Sequence, residues 1–341
     1  NDYNNFQDID NNLDFRLEYF SQQFELLKRI KNKNLNLEII IFNYPDNYFE
    51  EYIDVKNIFD KDKISKYNLN LLDECKKNNI NILDYNSLIC RVGQKNFYDY
   101  KNYYLSKSLL SEVACNEISL KLSNIIRSLI FVKKKCLVLD LDNTLWGGVI
   151  GEENINKIKL GNSYEGLKYT KFQRYIKKLS TSGIILGIIS KNNFSDVKKF
   201  FLKNNNMILN LKDFSSIKAN WKPKYLNINE IAKELNIGKD SVVFFDDSKF
   251  EREQMEKFEP EIEVIDVPEE PEKFISTLEN SGVFFNNRPL TKEDLKKKKQ
   301  YEIVQKAEKL KKKFNDVDEY LKQLEMKITF SKVNNKNIER C

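Results

Sequence analysis

The chain has 341 residues, a net charge of +6 and no histidine, which excludes histidine-dependent catalytic triads and histidine metal sites within it. The charge is modest, the lysine runs are typical of solvated helix faces, and the apolar runs are far shorter than the ~20 residues of a membrane span, so we predict neither a nucleic-acid nor a membrane partner. The five cysteines form no C-x-x-C pair, as expected of a cytoplasmic protein.

The first part of the chain, residues 1–130, alternates predicted helices and strands. Helical spacing of apolar residues and short apolar runs predict, in chain order, a helix over 12–31, a strand over 35–42, a helix over 69–77, a strand over 81–83 and a helix over 108–129. This alternation indicates a small α/β domain, in which no catalytic cluster stands out. Because the chain begins at Asn1 and ends without a terminating pattern, we interpret it as an internal piece of a longer protein.

The second part, residues 131–288, repeats strand–helix units. The predicted elements are, in chain order, a strand over 136–141, a helix over 165–181, a strand over 184–189, helices over 195–202 and 225–235, and strands over 241–245 and 263–267. Strands that alternate with helices indicate βαβ units and a parallel sheet, so we predict the α/β class. Beyond it, residues 289–341 read as a charged helical linker over 291–324 and the opening strand, 326–331, of a truncated domain.

Two aspartates follow the first strand of this second part. Asp140 and Asp142, with one residue between them, stand at the end of the apolar run that begins at Cys136, and two carboxylates crowded at a strand end repel each other unless a cation or a shared proton stabilises them. The pair therefore indicates a hard metal ion, with one aspartate free to act as a nucleophile.

Further polar residues follow the next strands. In parallel sheets ligands bind beyond the carboxyl ends of the strands, and Ser190, Asp246 and Asp247 fall at such ends. The structural alternative is that a serine or an Asp-Asp pair here only caps a helix. All of them together, in this order at successive strand ends, are difficult to explain by packing alone.

These residue types fit phosphoryl transfer, which needs a nucleophile, a proton donor for the leaving group and cations around the phosphate. Asp140 fits the nucleophile, and Asp142 can protonate the leaving oxygen and later activate water. The remaining candidates supply phosphate contacts (Thr144 and Ser190 or Asn192), a neutralising lysine (Lys222 or Lys224) and carboxylates for Mg²⁺ (Asp246 and Asp247).

Four phrases carry a resemblance to a known family: D-L-D-N-T-L-W-G-G-V-I-G-E, I-I-S-K-N-N, N-W-K-P-K and V-F-F-D-D-S-K-F-E-R-E. They resemble the FkbH-like branch (subfamily IIIC) of the haloacid dehalogenase superfamily over about residues 100–340. The resemblance implies a Rossmann-like parallel sheet, preceded by a degenerate SGNH-like domain and followed by an acyltransferase-like one. Only a loop and a few helices separate the motifs, so we expect no cap domain.

The resemblance also implies roles for single residues. It implies Asp140 as the nucleophile and Asp142 as the general acid/base, with the Asp142 main-chain carbonyl on Mg²⁺. It implies Ser190 on phosphate and favours Lys224 over Lys222. By the same comparison Asp247 ranks before Asp246 as the side-chain metal ligand.

The implied activity is that of a Mg²⁺-dependent phosphatase or phosphotransferase with an aspartyl-phosphate intermediate. The branch is associated with glyceryl transfer from 1,3-bisphosphoglycerate to an acyl carrier protein, so we expect a phosphorylated small molecule and an acyl carrier protein as partners. Two alternatives remain: a plain phosphatase acting on a sugar phosphate or a phosphoprotein, and a binding module without activity. The missing histidine indicates that the SGNH-like domain is not catalytic.

Overall fold

The computed structural model describes residues 13–45, 55–132, 134–151 and 157–285. These residues form two compact units, each of which is described by itself. The first contains the described residues up to 134 together with 273–285, and the second contains those of 135–272. The linker and strand predicted beyond residue 288 lie outside the described residues.

The first unit has a two-stranded parallel sheet, β1 (Ile40–Phe42) and β2 (Asn81–Leu83). Buried Leu88, Phe97 and Ile125 form the centre of one of its apolar clusters. The helices of this unit are α1 (Leu13–Lys33), α2 (Val55–Asn78), α3 (Tyr85–Val92), α4 (Gln94–Phe97), α5 (Tyr100–Ser106), α6 (Glu112–Ile130) and α11 (Phe274–Asn280).

The segment that carries α11 belongs to the first unit, although the sequence-based boundary assigned residues up to 288 to the second. Phe285 packs against the apolar cluster around Phe97 and Ile125, and Glu279 approaches Arg91 to 4.0 Å. Hydrophobic burial therefore draws the chain back to the first unit after residue 272.

The second unit is built on a five-stranded sheet in which every described pairing is parallel, with the strand order β5-β4-β3-β6-β7. Its inner strands are completely buried and, apart from Ser190 at the end of β4, carry no polar side chain, as expected when helices cover both faces of a parallel sheet. The elements are β3 (Cys136–Leu139), α7 (Tyr164–Thr181), β4 (Ile185–Ser190), α8 (Phe194–Lys203), β5 (Ser216–Ala219), α9 (Lys224–Leu235), β6 (Val242–Phe245), α10 (Lys249–Phe258) and β7 (Glu263–Val264).

This strand order places β3 at the centre of the sheet. From β3 the chain moves outwards to β4 and β5 and then returns to the other side of β3 with β6. The order therefore reverses between β3 and β6, and ligands bind in the crevice at such a switch point. The predicted α/β class with a Rossmann-like parallel sheet is confirmed.

The connections at the carboxyl edge are mostly short. Helices follow β4, β5 and β6 within a few residues, and residues 140–163 join β3 to α7. In the parts of these connections that the structure describes, no third sheet is present. The described helices include none with the length and apolar character that crossing a bilayer requires.

Candidate active site

A lysine bridges two aspartates at the carboxyl edge of the sheet. The Lys224 Nζ lies 2.9 Å from Asp140 Oδ1 and 2.7 Å from Asp246 Oδ2. Asp140 follows β3, Asp246 follows β6, and Lys224 is the first residue of α9. All three side chains are buried, so their mutual attraction is screened much less than it would be at the surface.

The other candidate lysine points elsewhere. Lys222 is exposed, and its Nζ lies 3.2 Å from Glu230 Oε1. Pro223 separates the two lysines and stands at the N-cap of α9, so Lys224 is the first residue with helical geometry. The structure therefore brings Lys224, and not Lys222, into contact with Asp140.

A third carboxylate completes an acidic cluster. Oxygen atoms of Asp140, Asp246 and Asp247 lie within 4.8 Å of one another. Thr144 Oγ1 donates to Asp247 Oδ1 over 3.2 Å, and the Ser248 backbone N–H donates to Asp246 Oδ1 over 2.9 Å. Three carboxylates face the single ammonium of Lys224, so the cluster has an excess of negative charge and of oxygen donors, which suits a hard cation such as Mg²⁺.

The titration of these groups reflects their crowding. Burial, strengthened by the nearby charge of Asp140, raises the pKa of Asp246 to about 7 and that of Asp247 to about 6. For Lys224, burial lowers the pKa, but the carboxylates of Asp140 and Asp246 outweigh it and the pKa is raised. The lysine therefore stays charged, whereas Asp246 is partly protonated near pH 7 when no cation is bound.

Asp142 occupies a separate position beside this cluster. Its Oδ1 accepts hydrogen bonds from Trp146 Nε1 and from the Ile150 backbone N–H, both over 3.0 Å, and its Oδ2 accepts one from Asn192 Nδ2 over 2.6 Å. Burial raises its pKa and the Asp140 charge adds to this, although the three donors act in the opposite direction. Its side chain is not among the clustered carboxylates.

Ser190 is the last residue of β4, and Asn192 lies beside it in the connection that follows. The amide nitrogen of Asn192 donates to Ser190 Oγ over 2.9 Å as well as to Asp142, so both of its N–H groups have partners. The helix-cap alternative is wrong, because the residue that caps α8 is Asn193, and Ser248 caps α10 in place of the Asp246–Asp247 pair.

The turn after β3 is shaped by backbone geometry. Asn143 has φ 52°, in the left-handed region that asparagine tolerates, and its Oδ1 accepts from the Gly148 N–H over 2.9 Å. A Cβ on Gly147 would lie 2.8 Å from the Tyr169 ring, so any larger residue would have to displace that ring. The W-G-G phrase thus serves to turn the chain tightly past Asp142.

Two residues that the sequence reasoning did not single out support the site. Trp146 is fully buried against Phe200 and Phe201 and binds Asp142. Arg252 donates from Nη1 to the main-chain oxygens of Asp246 and Asp247, over 3.0 and 2.9 Å. Both residues lie within the phrases that carry the family resemblance. A buried side-chain N–H group needs an acceptor, so these two residue types next to the aspartates were the signal from which their contacts could have been predicted.

Among known proteins, no family model and no curated protein matches the chain. A solved structure does: the N-terminal part of the protein BF1531 from Bacteroides fragilis, described as containing a phosphatase domain and complexed with Mg. The two share 31% sequence identity with a TM-score of 0.70, over 82% of this chain and 75% of the other. At this identity over most of both chains, the protein belongs to the same family as the phosphatase-domain region of BF1531.

Proposed function

We propose that the protein is a Mg²⁺-dependent phosphatase or phosphotransferase of the haloacid dehalogenase type, with Asp140 as its nucleophile. The observation that carries this proposal is the buried contact of Lys224 with Asp140 and Asp246 inside the acidic cluster. The phosphatase domain of the related structure and its bound Mg support it.

The geometry of Asp140 suits an in-line attack on phosphorus. Lys224 binds Oδ1, and among the described residues none donates a hydrogen bond to Oδ2. Oδ2 can therefore attack while the ammonium holds the carboxylate in place. The same ammonium neutralises charge on the phosphate in the transition state, where electrostatic stabilisation is most effective.

The other residues divide the remaining tasks. Asp142 gives a proton to the leaving oxygen and takes one from the water that hydrolyses the aspartyl-phosphate. The Ser190 hydroxyl accepts a hydrogen bond from Asn192 and donates its own proton to a phosphate oxygen. Thr144 orients Asp247 through a hydrogen bond.

The donor set also fits the proposed metal. Asp140, Asp247 and the main-chain carbonyl of Asp142 would hold Mg²⁺, with Asp246 next to them on Lys224. Bound there, Mg²⁺ would neutralise phosphate and carboxylate charge.

We expect Mg²⁺ to stabilise the protein more strongly as the pH rises. Without metal, the raised pKa values of Asp246 and Asp247 mean that these groups lose protons between pH 5 and 8, and that buried charge then lowers the melting temperature. At a concentration about 100-fold above its Kd, Mg²⁺ adds ~2.7 kcal/mol of stability. Thermal unfolding at pH 5.5 and 8 measures this, with Asp247→Asn as the comparison. An Mg²⁺ effect that is equal at both pH values, or unchanged in Asp247→Asn, would contradict the assignment.

The narrower proposal is glyceryl transfer from 1,3-bisphosphoglycerate to the thiol of an acyl carrier protein in the cytoplasm. The FkbH-like motifs support it, as do the short connections after β4, β5 and β6, since a site that the described residues leave uncovered accepts a substrate tethered to another protein. The net charge of +6 suits an acidic carrier. The first unit, as an SGNH-like domain without histidine, then has a structural role.

Mass spectrometry of a holo carrier incubated with the protein and 1,3-bisphosphoglycerate tests this transfer. We expect a glyceryl adduct that forms faster at low ionic strength, because salt screens the attraction between the partners. Phosphate release at the same rate with and without carrier, with the carrier unmodified, would instead support a plain phosphatase that acts on a sugar phosphate or a phosphoprotein.

A further inference from the structure

The two oxygens of the Asp142 carboxylate are held differently. Each carboxylate oxygen can accept about two hydrogen bonds. Oδ1 already accepts two, from the Trp146 indole and the Ile150 backbone, whereas Oδ2 accepts one, from Asn192. Oδ1 is therefore saturated, and Oδ2 keeps one position for a proton or a substrate atom.

The indole that binds Oδ1 is itself firmly fixed. Trp146 has no solvent-exposed surface, and its ring centroid lies 4.6 Å from that of Phe200 and 5.9 Å from that of Phe201. A buried indole N–H needs an acceptor, and Asp142 is the one that it has. Since the packing leaves the ring little freedom, the indole sets the position of the carboxylate rather than following it.

We infer that Trp146 is a positioning residue for Asp142: its indole N–H, together with the Ile150 N–H, anchors Oδ1 so that Oδ2 faces the leaving group. This rests on the proposed function, in which Asp142 is the general acid. When the phosphorus–oxygen bond breaks, its electron pair stays with the leaving oxygen, which takes the proton from Oδ2. Asp142 is left as a carboxylate, and the two donors on Oδ1 stabilise that charge.

Trp146→Phe removes the indole N–H while keeping an aromatic ring in the pocket. Phenyl phosphate needs its leaving oxygen protonated, whereas p-nitrophenyl phosphate has a much less basic leaving group. We expect kcat/KM to fall at least ~10-fold for phenyl phosphate but by no more than about 3-fold for p-nitrophenyl phosphate, as for the loss of general-acid catalysis. Asp142→Asn should show the same selectivity, and the double variant should lose little more than Asp142→Asn alone.

Trp221→Phe is the matched control, because Trp221 is 70% exposed and its indole binds Asn193 rather than Asp142. We expect this variant to keep the wild-type ratio of the two esters. Equal losses on both esters in Trp146→Phe would overturn the role of Trp146 and leave the phosphatase intact. Failure of the wild type to hydrolyse either ester would contradict the proposed function and, with it, this role.

A second measurement does not depend on activity or on the folding of Trp146→Phe. The chain has two tryptophans, so an NMR spectrum of the ¹⁵N-labelled protein contains two indole N–H signals, of which Trp221→Phe identifies one. A hydrogen bond to a carboxylate is stronger than one to a neutral amide, so we expect Asp142→Asn to move the Trp146 signal upfield and leave that of Trp221 in place. An unmoved Trp146 signal would overturn the inference.

Discussion

Asp140→Asn should lose at least ~10⁴-fold in kcat, the largest effect expected of any single change in this chain. An amide oxygen is a far weaker nucleophile than a carboxylate, and a stable phosphoryl intermediate cannot form on it. The fold should persist, because Asn keeps the shape of the side chain and can still accept a hydrogen bond from Lys224, which lies 2.9 Å from Asp140. Steady-state hydrolysis of p-nitrophenyl phosphate measures the loss of kcat, and circular dichroism checks that the variant is folded.

Asp62→Asn is the matched control, because it makes the same Asp-to-Asn replacement outside the site. Asp62 lies on α2, where it pairs with Lys66 at 2.6 Å on the surface of the first unit, so its replacement should leave turnover within about 2-fold, as for most surface substitutions. Mass spectrometry of the wild type after acid quenching should show one added phosphoryl group, which Asp140→Asn lacks. A phosphoryl adduct in Asp140→Asn would show that another residue is the nucleophile.

Lys224→Met should greatly lower kcat, whereas Lys222→Met should leave it almost unchanged. Lys224 contacts two buried carboxylates, and loss of a buried cation that stabilises the transition state costs ~10²–10³-fold in kcat. Lys222 pairs with Glu230 outside the cluster, and we expect its loss to change kcat by less than about 2-fold. Parallel kinetics of the two variants test the assignment, and a larger loss in Lys222→Met would reverse it.

The same pair of variants should differ in stability. Removing one partner of a buried ion pair costs ~3–5 kcal/mol, because a charge is left uncompensated. Lys224→Met should therefore unfold at lower urea concentration than the wild type without metal, and Mg²⁺ should restore part of the difference by adding positive charge to the acidic cluster. Lys222→Met should unfold like the wild type. Equal urea midpoints for both variants without metal would indicate that Lys224 does not stabilise the cluster.

Much of the second unit could be predicted from the sequence, because its inner strands leave a strong signal. Four buried positions in a row, as in Cys136–Leu139, permit few other interpretations, and the strand order of a βαβ fold then brings the polar residues that follow to one edge. The α/β class and the grouping of Asp140 with Asp246 follow from that.

What sequence reasoning missed depends on weaker or longer-range signals. The strand Ser216–Ala219 is short and lies at the edge of the sheet, where half-buried polar residues are tolerated. The helix Lys249–Phe258 has few apolar residues, so its spacing gave little indication. The choice between Lys222 and Lys224 rested on the family pattern alone, because it depends on where α9 begins, which varies by one or two residues in any sequence-based estimate.

The return of residues 273–285 to the first unit has a consequence for the order of events during synthesis. Domains generally fold as units while the chain emerges, the N-terminal one first. Here the first unit lacks Phe285 and its neighbours until residues 135–272, which belong to the second unit, have been made. The five described strands of the second unit's sheet all lie within 135–272, so on the ribosome this sheet can form before the first unit is complete.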